Sequence, residues 1–182
     1  RDKVLAADDA HDMVVDLMTR VAENETKKCV YYEEKEALVD GEKLLNNLTI
    51  KDYPVDALFA DEVSGPHIGE IVNIITDNLV KSFEVKRDIW SPQVFRLVEK
   101  QILMKIIDTN WTNHIDRMSK LRDGINLRSY ANTNPLQSYI NEGYQMFEDL
   151  KIKIAEEVTN YCLHANVRVE RRPAPNPNQA QN

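Results

Sequence analysis

Glycine is scarce in this sequence, with 5 in 182 residues where usual composition near ~7% would give about a dozen. Few tight turns and few close backbone approaches follow, so the chain is expected to be helix-rich. The five glycines, Gly41, Gly65, Gly69, Gly124 and Gly143, cannot spell GxGxxG or GxxxxGK[ST], which excludes the phosphate-cradling loops of nucleotide-binding proteins. Cysteine is equally sparse. Cys29 and Cys162 have no metal or redox spacing and read as free thiols in a reducing compartment. No apolar run approaches the ~18 residues of a membrane span, and the opening Arg1-Asp2-Lys3 is not a signal peptide. The sequence therefore reads as cytoplasmic, and its start without Met as a piece cut from a longer chain.

Positive charge is also in deficit: 23 Lys and Arg stand against 30 Asp and Glu, a net charge of −7. Broad, sequence-independent nucleic-acid binding needs a dominant basic surface, so no nucleic-acid partner is expected, and Arg117, Lys120, Arg122 and Arg128 do not overturn that reading. The imbalance is local. Residues 1–91 carry 11 basic against 20 acidic side chains, and residues 92–182 carry 12 against 10. The two halves are expected to meet different surroundings.

What the sequence does have is helical periodicity. Val14, Leu17, Met18 and Val21 predict a helix from Asp8 or Asp9 to about Tyr31, with Asp8, Asp9 and Asp12 suited to its N-terminus. A short helix is expected over Asp40 to Leu48, then an acidic connector over 49–64 that includes Asp52, Asp56, Asp61 and Glu62. Ser64-Gly65-Pro66 reads as a cap and first turn, opening a helix that carries Ile68, Ile71, Val72, Ile75, Leu79 and Phe83 to about residue 86. In the second half, Ser91-Pro92 starts a helix whose core stripe is Phe95, Val98, Ile102, Ile106, Trp111, Ile115, Met118 and Leu121. It is expected to run ~30 residues to Gly124, or ~45 Å. Asn134-Pro135 starts the next, through Leu150 and Val158 to about His164. The short connector between them, Arg122 to Thr133, predicts an antiparallel hairpin with Gly124 at its turn. From Val167 the proline-rich tail reads as a disordered linker. The expected class is all-α.

Catalytic chemistry is not visible. His11, His67, His114 and His164 lack the spacing of a helical metal site, and HExxH is absent. His11 reads as a solvated helix residue, Lys51 as an exposed surface position, and His67 and His164 as element ends. His114, one turn beyond Trp111, is expected to be packed and hydrogen-bonded between helices. Neither a Ser-His-Asp nor a Cys-His arrangement follows from spacing. No catalytic residue, metal site or cofactor is expected in this piece.

The hairpin tip is unusual for a connector. It alternates Ile125, Leu127 and Tyr130 with Arg122 and Arg128, placing apolar and cationic groups together at the end of a long lever. Ile125 and Leu127 suit either a cap on the hairpin core or an outward face. Tyr130 and Arg128 suit outward contact, since tyrosine offers contact area at low entropic cost.

The run Trp111-x-x-His114-Ile115-x-x-Met118-x-x-Leu121-Arg122-x-Gly124-Ile125-x-Leu127-Arg128-x-Tyr130-Ala131-x-x-x-Pro135, followed by Tyr139, Glu142-Gly143 and Phe147, resembles SecA, the ATP-driven motor of bacterial preprotein secretion. The resemblance implies a small helical wing domain at 8–90 and a helical scaffold domain at 91–165 with its two-helix finger. Residues 1–7 would then end a long scaffold helix, and 166–182 would be a linker. It further implies that Tyr130, with Leu127 and Arg128, contacts preprotein at the SecYEG channel. Trp111, His114, Arg122 and Gly124 would position the finger and regulate the ATPase. ATP, Mg and the motor domains would belong to the parent chain, as would a zinc-binding tail beyond Pro173. The parent would sit peripherally at the cytoplasmic face of the plasma membrane. Asn113, Asn132 and Ser138 depart from the family's common pattern, leaving both the housekeeping motor and an accessory paralogue open. A helical scaffolding module without a translocation role is the alternative.

Overall fold

A computed structural model describes residues 1–88, 92–128 and 134–164. The helices are α1 (Asp2–Ala6), α2 (His11–Lys28), α3 (Gly41–Ile50), α4 (Ile68–Asp88), α5 (Pro92–Arg128) and α6 (Pro135–His164). Between α2 and α3 lies a small antiparallel pair, β1 (Val30–Glu33) and β2 (Glu36–Val39). Apart from this pair every regular element of the described residues is a helix, in keeping with the all-α expectation. The tail from Val167 lies outside the described residues.

Local chemistry accounts for the element boundaries. The Asp9 carboxylate accepts the His11 backbone N–H at 3.0 Å at the start of α2, where helix donors are orphaned. Lys27 and Lys28 occupy its last turn, where the helix dipole favours cations. Asp40 caps α3 by accepting from the Lys43 N–H at 3.0 Å, and Asn134 Oδ1 accepts from Gln137 N at 3.3 Å ahead of the proline that opens α6.

The β-pair was not expected because its turn carries no signal. A two-residue hairpin turn needs positive φ at both positions, which usually selects Asn-Gly. Here Glu34 and Lys35 adopt φ 49° and 73°. Gly65 is also used differently from its expected role. At φ +110° it forms a bridge with Val39, their N–H and C=O groups exchanging bonds at 2.9 and 3.2 Å, and α4 begins three residues later. Ser64 does not cap that helix either. Its hydroxyl accepts from Gly41 N–H and donates to the Ala60 carbonyl, folding the connector back over the start of α3.

One core joins both halves of the sequence. Met18, Leu44, Leu48, Ile75, Leu79, Phe83 and Leu103 are its fully buried large side chains. Helix α2 is central to it, with α4 and α6 packed on it, and α6 packs in turn along α5. The hairpin is antiparallel as expected, but α5 is 37 residues long, or about 55 Å, and passes straight through Gly124. Glycine in a helix interior costs only ~1 kcal/mol relative to alanine, too little to end a helix whose neighbours favour it.

The close approach at Gly41 and the openness at Gly124 give opposite expectations. A Cβ on Gly41 would lie 2.2 Å from the Ala60 carbonyl oxygen, whereas one on Gly124 meets nothing within 4 Å. Gly41→Ala is expected to lower unfolding free energy by about 1–3 kcal/mol. Gly124→Ala should raise it by up to ~1 kcal/mol. Urea denaturation of both variants checks this, and destabilisation by Gly124→Ala would contradict the continuous helix.

Candidate functional site

Beyond Asn110 on α5 and before Leu150 on α6, only His114, Ile125 and Gly143 are buried among residues whose burial is described. From residue 111 to the end of α5 is about 27 Å of helix. The hairpin is therefore a two-helix arm with a narrow seam. Gly143 thins that seam, since a Cβ there would sit 3.0 Å from Met118 Cε, and this is the close packing that a glycine inside a helix permits.

His114 stands in the seam, 6% exposed. Its ring lies 5.6 Å from Trp111 and 6.0 Å from Phe147, centroid to centroid. The expected interhelical packing is present. The expected hydrogen bonding is incomplete, because Nδ1 is buried without a partner among the described residues. Trp111 and Ile115 are not core residues as their period suggested. Both are about half exposed, one turn apart on the flank of α5. Leu136, Ile140, Tyr144 and Phe147 follow at helical spacing on α6 and are exposed too. Because the helices run antiparallel, and Trp111 and Phe147 both touch His114, the six apolar side chains share one side of the arm. Lys151 covers part of Phe147 with its ammonium 5.6 Å from the ring.

The residues proposed from sequence fall at two places. Trp111 and His114 are in contact. Arg122 and Gly124 lie two to three turns further out, Arg122 exposed with the Asp123 carboxylate at 3.9 Å. Ile125 is buried, so it caps the hairpin seam. Leu127 and Arg128 belong to the last turn of α5, while Tyr130 lies outside the described residues.

Two buried ionic clusters at the root of the arm had no sequence signal, because their members are far apart in the chain. In the first, the Glu25 carboxylate, 1% exposed, accepts from Lys28 at 2.7 Å and Lys51 at 2.8 Å. Lys51 also reaches Glu156 on α6 at 2.6 Å. Burial alone would raise the Glu25 pKa, but the hydrogen bonds from Lys28 and Lys51 prevail and hold it below the carboxylate range. Lys51, read from sequence as a surface position, is thus a clasp between the end of α3, α2 and α6, and its pKa is raised above the lysine range: burial opposes the shift, but Glu156 and Glu25 outweigh it.

The second cluster holds His11, which is not solvated. Its ring stacks on Phe83 at 5.6 Å, and Nδ1 lies 3.4 Å from Glu99 on α5. Glu99 is 1% exposed with Oε2 unpartnered among the described residues, and burial pushes its carboxyl upward in spite of His11. Around it, Asp9 pairs with Arg87 at 3.3 Å and Arg96 at 3.2 Å. The His11 backbone N–H, followed by these arginines, holds Asp9 below its usual range against the cost of burial. His67 and His164 stand at element ends as expected, and His164 Nε2 is 3.1 Å from Asp52.

Among the described residues no three His, Cys, Asp or Glu side chains are grouped to hold a metal ion, and no helix is long and apolar enough to cross a membrane. Cys29 and Cys162 are free and buried, and burial pushes the Cys162 thiol up to about 12. A family model described as the SecA Wing and Scaffold domain matches residues 1–166.

The two clusters respond to pH with opposite signs. Glu25 has a folded pKa below its unfolded value, so its contribution is present above the unfolded pKa and is lost as pH falls through the folded one. Glu25→Gln is expected to cost about 3 kcal/mol near pH 7.5, the scale of breaking a buried pair, with the deficit closing in acid. Glu99 has a raised folded pKa, so its contribution is present below the unfolded value and is lost as pH rises. Glu99→Gln is therefore expected to stabilise at pH 7.5 and to do so less in acid. Urea midpoints of both variants against the parent from about pH 3 to pH 7.5 would show the two trends, that of Glu25 in the acid part of the range below the usual carboxylate pKa and that of Glu99 above it, and parallel trends would refute the assignment.

Proposed function

The chain belongs to the SecA Wing and Scaffold domain family, and hence to the SecA protein translocation machinery, and from that premise we propose that its α5–α6 arm is the two-helix finger that touches the translocating preprotein. The observation that carries this reading is the arm: about 27 Å of paired helix beyond a root fixed by two buried ionic clusters. A lever needs a rigid root and a free end, and the burial pattern supplies both.

In this reading Leu127, Arg128 and Tyr130 make the contact at the SecYEG channel. Apolar and aromatic area can hold varied sequences without demanding one side-chain pattern, and Arg128 adds planar donors for backbone carbonyls. The contact between Trp111, His114 and Phe147 couples the two helices part-way along the arm. With Arg122 and Gly124 further out, it positions the finger and transmits its state to the ATPase. ATP and Mg act in the motor domains of the parent chain, and this part contributes no catalytic group. The parent works at the cytoplasmic face of the bacterial plasma membrane, held peripherally through the channel, as housekeeping motor or accessory paralogue.

The apolar side of the arm favours a second reading, a scaffolding module that docks a partner helix along its flank. The two readings separate at the tip. In the intact motor with a stalled preprotein, a photoreactive residue at position 130 is expected to give a crosslink well above one at Tyr32, which is 77% exposed on β1. Equal yields from the two positions would defeat the finger-contact reading. Loss of binding on Ile115→Ala and Tyr144→Ala, with Tyr130→Ala silent, would favour the scaffold.

A further inference from the structure

The side of the arm facing α2 is unlike its apolar side. Between the last turns of α2 and the two arm helices lies a cleft of about 810 Å³. Four cations line it, Lys27, Lys28, Arg117 and Lys153, against the carboxylates of Asp149 and Glu156. Lys28 and Glu156 are already engaged in the Glu25 cluster, and Asp149 accepts from Gln145 at 2.9 Å. Lys153 keeps a loose pair with Glu157 at 3.7 Å. Lys27 and Arg117 have no ion-pair partner among the described residues, and both are exposed. Their charge is unspent in a chain whose net charge is −7.

The cleft continues. A smaller one of about 210 Å³ shares Asn24, Lys27 and Ile152 with it and adds Glu23, the paired Glu148 and Lys151, and Arg20 of α2, another exposed cation with no ion-pair partner among the described residues. Arg20 and Lys27 are two turns apart on one helix, about 10 Å, which is the reach of three residues of extended chain. The cations stand on separate walls, Arg20 and Lys27 on α2, Arg117 on α5 and Lys153 on α6. That dispersal suits charges strung along a chain, whereas a compact anion such as phosphate needs donors converging on one point. Amide side chains lie among them. Asn24 spends its N–H on Glu25 at 3.2 Å and keeps its carbonyl, and Asn113 makes no side-chain bond among the described residues. Amides of this kind match the alternating donors and acceptors of a peptide backbone.

We propose that this cleft binds an extended acidic polypeptide segment, its carboxylates pairing with Arg20, Lys27 and Arg117 and its backbone meeting Asn24 and Asn113. The acidic remainder of the surface repels such a segment and so directs it to this track. The floor of the cleft is His114, whose ring also touches Trp111 and Phe147 on the other side of the arm. An occupant therefore bears on the same contact that couples α5 to α6. The proposal goes beyond the finger reading and does not depend on what Tyr130 touches.

The test is fluorescence anisotropy at low salt with the whole chain and a labelled, end-capped ten-residue peptide carrying Glu at every third position among Gly, Ser and Thr. The peptide is expected to bind. Its Glu→Gln counterpart should bind about tenfold more weakly, as should the parent peptide to the Lys27→Glu, Arg117→Glu double variant, the scale for reversing a few exposed charges. Lys105→Glu, an exposed charge change on α5 away from the cleft, should leave affinity within about twofold. Circular dichroism would confirm that the variants fold. No binding, equal binding of the Gln peptide, an equal loss from Lys105→Glu, or full displacement by equimolar inorganic phosphate would each overturn the proposal. Binding confined to anionic lipid vesicles would overturn it in favour of a membrane surface.

Discussion

The buried Glu25 carboxylate, shared between Lys28 and Lys51, is the constraint on which the arm's geometry depends. It brings a residue of α2 and the residue after α3 into one network with Glu156 of α6. A buried ion network adds little net stability over an apolar substitute, because desolvation offsets most of its attraction. What it does impose is geometry. Each partner left alone in the interior would be costly, so α6 is held at one register against α2. Hydrophobic contacts tolerate sliding far better than a carboxylate between two ammonium groups does. The His11–Glu99 pair does the same for α5, tying its first turns to α2 and α4. Each helix of the arm is thus fixed by its own buried charge.

A fixed root matters because the arm has little else. Each arm helix buries one narrow stripe against the other, and the seam is thinned further at Gly143. Two helices paired over about 27 Å cannot enclose all the apolar residues they carry, so Trp111, Ile115 and Tyr144 remain at the surface. They lie on the same side of the arm as Leu136, Ile140 and Phe147. The opposite side carries Arg117, without an ion-pair partner among the described residues, together with Lys153 and the amide of Asn113. The arm therefore presents two chemically distinct flanks, with His114 passing between them.

The same physics explains what the sequence could reveal. Helices α4 and α6 were legible because Ile71, Ile75, Leu79 and Phe83, and Leu150 and Val158, have both the period and the burial that period implies. The starts of α3 and α6 fall at Asp40 and Asn134 as read, each accepting from the first turn, whereas Ser64, read as a cap, spends its hydroxyl on Gly41 and Ala60. Periodicity failed at Trp111 and Ile115, since it identifies an apolar face but not whether anything covers it. Turn chemistry failed at Glu34 and Lys35, where pairing between Val30 and Val39 overrides a local preference worth only ~1–2 kcal/mol per residue. His11 and Lys51 were misread because their partners, Glu99 and Glu156, lie 88 and 105 residues away. No local pattern encodes such a pair.

The length of α5 joins these points. A helix ending at Gly124 would place that glycine and Arg122 in a flexible connector. By continuing to Arg128, the helix carries Ile125 into the seam and sets the orientation of its last turn. The other end of the same helix is tied to α2 and α4 through Glu99 and His11, so a small rotation at the root would become a large displacement at the end. Glu99 and Arg128 are about 44 Å apart along the helix, so a tilt of a few degrees about Glu99 would move the last turn by a few ångströms. The Glu99 carboxylate is buried, and burial pushes its pKa upward in spite of His11.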